Sequence, residues 1–231
     1  MKRTAPFLII IGVAGVALLA VWYLTRSIGT PSSTLPRTPS ANGRAGSVKP
    51  GADPPQTLGS TDAPAMLEEF GDFECSTCAQ VHLVLKEMKA KFGSRIVIVF
   101  REFPLESRHV HALAAARAAE AAGLQGKFWE MHDLLYENQK NWHEVSDVRP
   151  IFEAYANRIG LAIDQFQRDI SDGIVDQRII LDRARGYSIG VNSTPTVFLN
   201  GREVPLESLQ PEKLRDLIKT EIFTSSASPT L

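Results

Sequence analysis

The stretch that decides the fold runs from Phe70 to His82, FGDFECSTCAQVH, and it holds both cysteines of the chain. Cys75 and Cys78 are separated by two residues. The C-x-x-C spacing occurs in metal sites, in short structural disulfides and in redox-active dithiols. The rest of the chain has to distinguish among these three interpretations.

The bulk composition is that of a globular protein of one or two domains. Of the 231 residues, 44% are hydrophobic and 22% are charged, and 25 basic side chains balance 26 acidic ones. A surface that neutralises phosphates needs clustered Lys and Arg, and the sequence has no such cluster. We therefore expect no nucleic-acid partner.

Residues 1–26 have the pattern of a membrane anchor. Lys2 and Arg3 precede the uncharged run Phe7–Leu24, which as a helix would span ~27 Å, close to the hydrocarbon thickness of a bilayer. Trp22 and Tyr23 stand at its far end, where aromatic rings favour the lipid–water boundary. The basic start predicts a cytoplasmic N-terminus, so the rest of the chain would face the exported, oxidising side.

The alternative for the same residues is a cleaved signal peptide, which would leave a soluble periplasmic protein. Signal peptides have a shorter apolar core, of about 7–15 residues, and a cleavage site of small residues. This run ends instead in the bulky sequence Val21–Leu24. We therefore predict an uncleaved transmembrane helix.

Residues 27–60 have the composition of a tether. Half of them are Pro, Gly or Ser, and none is aromatic. Such a segment cannot bury enough apolar area to offset the entropy of ordering it. We predict a flexible tether over 27–60, a folded domain over 61–225 and a disordered tail over 226–231.

The first half of the domain predicts a βαβ unit. Ala65–Phe70 and the β-branched run Arg95–Arg101 are typical of strands. Between them, a helix is predicted over Ser76–Phe92. Its apolar positions recur at helical spacing, namely Val81, Val84, Leu85, Met88 and Phe92.

The second half predicts a helical subdomain followed by a ββα unit. The region of about 105–188 is rich in helix formers, and its Gly and Pro residues divide it into four or five helices. Pro195–Leu199 and Arg202–Val204 flank Asn200–Gly201, a dipeptide that favours a tight hairpin turn. Gln210–Phe223 closes the domain as a helix.

These surroundings favour a redox role for the cysteines. A zinc site needs about four ligands, whereas the chain has no third Cys and its five His show no zinc-finger register. A structural disulfide across so short a loop would remove little entropy from the unfolded chain. Cys75 stands where a helix begins, and there the helix dipole and free N–H groups stabilise a thiolate. Cys78 lies one turn further, within reach for disulfide exchange.

The pattern from Glu69 to Cys78, opening a helix after the first strand, resembles the thioredoxin superfamily and most closely its DsbA-like branch. Three further stretches agree: Pro104–Leu105 with His109 and the Ala-rich helix after it, Gln125–Asp133, and Gly190–Gly201. The resemblance covers about 58–224. It implies an α/β thioredoxin-like fold, βαβ then ββα, with an inserted helical subdomain.

The resemblance also implies roles for individual residues. Cys75 would be the nucleophile and Cys78 the resolving thiol. Pro195 would be a cis-proline that faces the cysteines, and its neighbour Thr194 would present its backbone to an incoming substrate strand. Glu69 would be the buried acid that moves a proton to or from Cys78.

Within the loop the chain departs from the family. The dipeptide Ser76–Thr77, a candidate for substrate contact, supplies two hydroxyl groups and no imidazole to stabilise the thiolate. Glu74 would oppose the thiolate if it pointed inward. His82 is expected to be a half-exposed surface residue. The other four histidines, His109, His111, His132 and His143, are expected in packing or surface positions.

The implied function is thiol–disulfide exchange between the Cys75–Cys78 disulfide and exported substrate proteins, in the direction of disulfide formation. The domain would lie on the periplasmic side of a bacterial inner membrane, without metal or cofactor, and a quinone-linked membrane partner would reoxidise it. One alternative is a reductase or isomerase on the same fold. Another is a metal-binding or metal-delivery module that uses Cys75, Cys78 and a histidine.

Overall fold

The computed structural model describes residues 48–227. The predicted transmembrane helix over 1–26, residues 27–47 of the predicted tether and the last four residues of the tail lie outside that range. Among the helices of residues 48–227, none has the length and apolar character to cross a bilayer.

The centre of the domain is a five-stranded sheet with the order β1-β3-β2-β4-β5. β2 and β3 are parallel, and the other neighbouring pairs are antiparallel. The strands are β1 Gln56–Leu58, β2 Ala65–Gly71, β3 Ile96–Glu102, β4 Thr196–Leu199 and β5 Arg202–Val204.

Eight α-helices surround the sheet in the described residues, and the first has the predicted bounds. They are α1 Ser76–Phe92, α2 Ala112–Leu124, α3 Phe128–Glu137, α4 Gln139–Trp142, α5 Arg149–Arg158, α6 Ile163–Ile170, α7 Gly173–Ser188 and α8 Pro211–Ala227. The helices α2–α7 form the predicted insertion. They number six rather than four or five, because α3 and α4 are separated at Asn138, where the sequence has neither Gly nor Pro. Because α8 continues to Ala227, the predicted tail over 226–231 begins too early.

The predicted tether also extends too far. β1 lies inside it and pairs with β3, and the indole N–H of Trp129 donates to the Thr57 carbonyl at 2.8 Å. Before β1, Ala52 is buried, and its N–H donates to the Asp182 carboxylate at 2.8 Å. Composition alone could not predict this, because partners far along the chain satisfy the polar backbone of a segment that has little apolar area of its own.

Two groups of apolar side chains make up most of the core. α1 and α8 pack against the sheet through residues such as Leu85 and Leu214. The insertion has its own core, which reaches the cysteines through Phe73 and Phe100. The cysteines therefore lie where the core of the insertion meets the first turn of α1.

Candidate active site

The turn between β2 and α1 places Cys75 at the start of the helix. Cys75 is the N-cap residue, with φ −73° and ψ 119°, and its N–H donates to the Asp72 carbonyl at 3.1 Å. The buried carboxylate of Asp72 accepts from the Glu74 N–H at 2.8 Å. Asp72 thus builds the turn with both its backbone and its side chain. Nothing in the sequence signals that Asp72 is buried, so this role was missed.

The two thiols differ in exposure and in acidity. Both are free in this structure; Cys75 is 8% exposed and Cys78 is fully buried. Hydrogen bonds from the Cys78 thiol and from the N–H groups of Cys78 and Thr77 lower the pKa of Cys75 to about 6, against the opposing effect of burial. Burial, together with the hydrogen bond to Cys75 and its charge, raises the pKa of Cys78 well above its ordinary value. At neutral pH the pair therefore holds one thiolate, on Cys75.

The loop before β4 lies against this thiolate. The Thr194–Pro195 peptide bond is cis, as the family resemblance implied. The Cys75 Sγ lies 3.6 Å from the carbonyl oxygen of Thr194. The structure therefore brings together Cys75, Cys78, Thr194 and Pro195 from two regions that are more than a hundred residues apart in the chain.

Glu69 is buried next to the cysteines, on β2. It is 1% exposed, and its Oε1 has no hydrogen-bond partner within residues 48–227. Burial, and secondarily the negative charge of Cys75, raise the pKa of Glu69 to about 8. Glu68 pairs instead with Arg101 at 2.9 Å and Arg185 at 2.6 Å. Glu69 therefore carries a proton at neutral pH, while its neighbour is ionised.

Ser76 and Thr77 form the start of α1, and Thr77 lines a groove at the surface. Ser76 is exposed and Thr77 is half-buried. Thr77 lines a groove of about 430 Å³ together with Val81, Val84 and Leu206. The contact of these two hydroxyl residues with a substrate stays a prediction.

The prediction for His82 is wrong, because its side chain is buried, with 3% of the residue exposed. Its ring stacks on Tyr136, with 5.2 Å between centroids, and meets the His132 ring edge-on at 5.2 Å. The signal was present in the sequence: His82 follows Cys78 by four residues, so both lie on one face of α1. That face packs against α3.

The metal alternative based on the cysteines has no support in this geometry. Within residues 48–227, one group of three side chains has ligand atoms close enough to share an ion, and it consists of His82, His132 and Asp133. Neither cysteine belongs to it. Moreover, the ammonium group of Lys86 lies 3.1 Å from the Asp133 carboxylate, so the acidic member already has a cation.

Comparison with protein families and curated proteins gives two findings. A family model described as Thioredoxin matches residues 52–220. Relatives include the Na(+)/H(+) antiporter NhaA 1 of Mycolicibacterium vanbaalenii, 41% identical over 156 residues, or 67% of this chain and 24% of the relative. The antiporter NhaA of Herminiimonas arsenicoxydans is 34% identical over 159 residues, or 68% of this chain and 24% of that one. The chain thus spans about a quarter of the length of these curated relatives.

Solved structures share the fold. A thioredoxin-like oxidoreductase from Silicibacter pomeroyi matches with a TM-score of 0.61 and 25% identity, over 76% of this chain and 95% of that one. Oxidised BdbD from Bacillus subtilis matches with a TM-score of 0.64 and 18% identity, over 76% and 98%. Wolbachia pipientis alpha-DsbA1 matches with a TM-score of 0.64 and 19% identity, over 75% and 94%. These matches confirm the predicted α/β fold with its helical insertion, and the chain belongs to the thioredoxin family, with the fold of its DsbA-like members.

Proposed function

We propose that this thiol–disulfide oxidoreductase forms disulfides in exported proteins. The observation that carries the proposal is the unequal pair of thiols: Cys75, with a lowered pKa, lies against the cis-proline loop, and Cys78 is buried behind it with a raised pKa. One sulfur is thus suited to exchange with a substrate and the other to resolve the intermediate.

The cycle starts from the Cys75–Cys78 disulfide. A substrate thiolate attacks the Cys75 sulfur, the bond to Cys78 breaks, and the electron pair leaves on Cys78. A second substrate thiolate attacks the substrate sulfur of this mixed disulfide and releases Cys75 as a thiolate. The substrate gains a disulfide and loses two electrons, which the reduced pair of cysteines now holds.

Glu69 would supply the proton that Cys78 needs. Cys78 leaves as a thiolate in the first step, but its raised pKa means that it must take up a proton at neutral pH. Glu69 is buried, and its ionised form is close enough to raise the pKa of Cys78. Below about pH 8, Glu69 carries a proton that it can give to Cys78. A general acid whose pKa lies near the working pH is well suited to this transfer.

The direction of exchange follows from which state the site stabilises. The hydrogen bonds that the Cys78 thiol and the N–H groups of the first turn give to Cys75 exist in full only with a thiolate, that is, in the reduced form. Stabilising the reduced form makes a disulfide a stronger oxidant. This supports an oxidase over the alternative of a reductase or isomerase.

The proposed location rests on the sequence. The uncharged run Phe7–Leu24 would anchor the chain in a bacterial inner membrane, with the domain on the periplasmic side. A quinone-linked membrane partner would take the two electrons from Cys75 and Cys78. Substrates would be exported proteins with thiols, held by the Thr194 backbone and by contacts with Ser76 and Thr77.

A refolding assay tests the proposal. The oxidised domain is mixed with a reduced, unfolded secretory protein whose activity requires its disulfides. We expect the wild type to restore that activity, Cys75→Ser to be inactive, and Cys78→Ser, supplied as a mixed disulfide with a small thiol, to accumulate mixed disulfides with the substrate. Because the chain has no third cysteine, unchanged turnover by Cys75→Ser would overturn the proposal.

A further inference from the structure

A cavity of about 300 Å³ connects the acid beneath the active site with the outer face of the domain. Its ionisable lining residues are Glu69 from β2, His82, Lys86 and Lys89 from α1, and His132 and Asp133 from α3, and the rest of the lining is mainly apolar. The proposed mechanism uses only Glu69. The other five ionisable side chains have no role in that mechanism.

Three of the lining residues carry buried polar atoms that lack partners. Glu69 Oε1, His82 Nε2 and His132 Nε2 have no hydrogen-bond partner among the described residues. Buried polar atoms in proteins are almost always paired, often with ordered water. A cavity of this volume has room for several water molecules, each of which takes about 30 Å³ in the liquid. All three residues line the cavity, so we expect water held there to be the partner of these atoms.

The lining residues also form a gradient of exposure. Glu69, His82 and His132 are at most 4% exposed. The side chains of Lys86 and Asp133, by contrast, are 50% and 38% exposed, and they form an ion pair of 3.1 Å. The cavity therefore has a buried end at Glu69 and a charged end at the surface.

We propose that this cavity is a water-filled proton passage in which His82 and His132 position the water that connects Glu69 with solvent. The inference rests on the proposed function. In each cycle Glu69 gives a proton to the Cys78 thiolate and must regain one, yet Glu69 is almost completely shielded from bulk water. A proton enters at Lys86 and Asp133, passes along the water and restores Glu69, and no other reactant is consumed.

The two imidazoles suit this role because they remain neutral. Burial lowers the pKa of His82 to about 4, and burial also lowers the pKa of His132. A neutral imidazole has one donor and one acceptor nitrogen, so it can hold water without placing a positive charge beside Glu69. Both His are positioning residues, since neither touches the sulfur atoms in the proposed mechanism.

His82→Phe is the sharpest test. Phenylalanine keeps a ring that can stack on Tyr136 but has no nitrogen to hold water. We expect His82→Phe to slow substrate oxidation by about tenfold, a part of what general acid–base catalysis contributes, and to leave the reduction potential unchanged. His82→Gln, which retains a donor and an acceptor, should recover most of the rate. His143→Phe, at a histidine whose side chain is 40% exposed, is the matched control.

A double-mutant cycle separates the passage from a structural effect. In a Glu69→Gln background, His82→Phe should cause no further loss of rate, because the passage then has no acid to serve. The passage would be overturned if His82→Phe lowered the rate equally in the wild-type and Glu69→Gln backgrounds, or if His82→Phe kept the wild-type rate. Neither result would contradict the exchange reaction. If His82→Phe does not fold, His132→Phe and His132→Gln provide the same comparison. An inactive wild type would instead contradict the proposed function itself.

Discussion

The carboxylate of Glu74 accepts a hydrogen bond of 2.6 Å from the backbone N–H of His111. The acid directly before the nucleophile is therefore held by the loop that leads into α2. Asp72 does the same two residues earlier: it accepts from the Leu105 N–H at 2.8 Å and lies 2.9 Å from His109 Nδ1. Two carboxylates of the FGDFECSTC stretch thus tie the helical insertion to the turn that carries Cys75.

This relationship predicts that Asp72→Ala destabilises the domain. The substitution leaves the partly buried N–H groups of Glu74 and Leu105 without their acceptors, and each such loss costs about 1–3 kcal/mol. We expect the free energy of unfolding to fall by about 2–4 kcal/mol in denaturant titrations. Asp62→Ala, which removes an exposed carboxylate, serves as the control and should have little effect. Equal stability of the two variants would contradict the role of Asp72.

Cys78→Ala is predicted to raise the pKa of Cys75. The hydrogen bond from the Cys78 thiol is the largest cause that lowers this pKa to about 6, and alanine cannot donate one. The thiolate absorbance of Cys75 should therefore titrate well above pH 6 in Cys78→Ala. Cys78→Ser, whose hydroxyl can still donate, should give a smaller rise. A midpoint that stays near 6 in Cys78→Ala would show that the helix start alone stabilises the thiolate.

Glu69→Gln is predicted to change how the stability of the reduced protein depends on pH. The folded-state pKa of Glu69, about 8, lies above its ordinary value of 4.5. Its contribution to stability is therefore complete below about pH 4.5 and is lost as the pH rises to about 8. Over that window, the free energy of unfolding of Glu69→Gln relative to wild type should rise by about 1.4 kcal/mol per pH unit.

The redox state provides an internal control for this slope. The charge of Cys75 is the second cause of the raised pKa of Glu69, and a disulfide removes that charge. The difference in free energy of unfolding between Glu69→Gln and wild type should therefore change with pH over a narrower range in the oxidised protein. Parallel stability profiles of the two proteins in both redox states would show that Glu69 is ionised in the fold.

Asp182→Ala is predicted to release the segment before β1. Asp182 accepts from Ala52 N–H at 2.8 Å and from Arg101 at 2.9 Å, within a buried ion cluster that includes Glu68 and Arg185. Removing one member of a buried ion pair costs about 3–5 kcal/mol. Hydrogen exchange at Ala52 should become faster, together with a fall in overall stability.

The control for Asp182 lies on the same helix. Asp176 pairs with Arg117 at 2.7 Å, but its side chain is 41% exposed. Exposed ion pairs contribute about 0–1 kcal/mol, so Asp176→Ala should leave stability and the exchange of Ala52 nearly unchanged. An Asp182→Ala variant as stable as Asp176→Ala would contradict the anchoring of this segment.

Local patterns in the sequence predicted much of the fold. The predicted bounds of α1 match the structure, and Asn200–Gly201 predicted the β4–β5 turn, where both residues have positive φ values of 47° and 78°. The features that were missed depend on distant partners. β1 forms because β3 offers it an edge, and Ala52 is held by Asp182, which is 130 residues away.

In the candidate site, too, local patterns were predicted and contacts between distant residues were missed. The spacing of Cys75 and Cys78 and the sequence before Pro195 predicted a redox centre at a helix start. The burial of His82 could have been predicted from its spacing to Cys78, but not its place in a cavity with Glu69, which requires α3 to be packed against α1. The bond from His111 to Glu74 also depends on the path of a loop that no local pattern specifies.

The reduction potential of the Cys75–Cys78 pair tests the central claim most directly. Equilibration with glutathione or dithiothreitol of known potential, followed by alkylation of free thiols, measures it. Because the reduced form is stabilised through Cys75, we predict a value between about −200 and −120 mV, toward the strongly oxidising end of the thioredoxin superfamily. A value near about −270 mV, that of thioredoxin, would contradict the account and assign the chain to reduction.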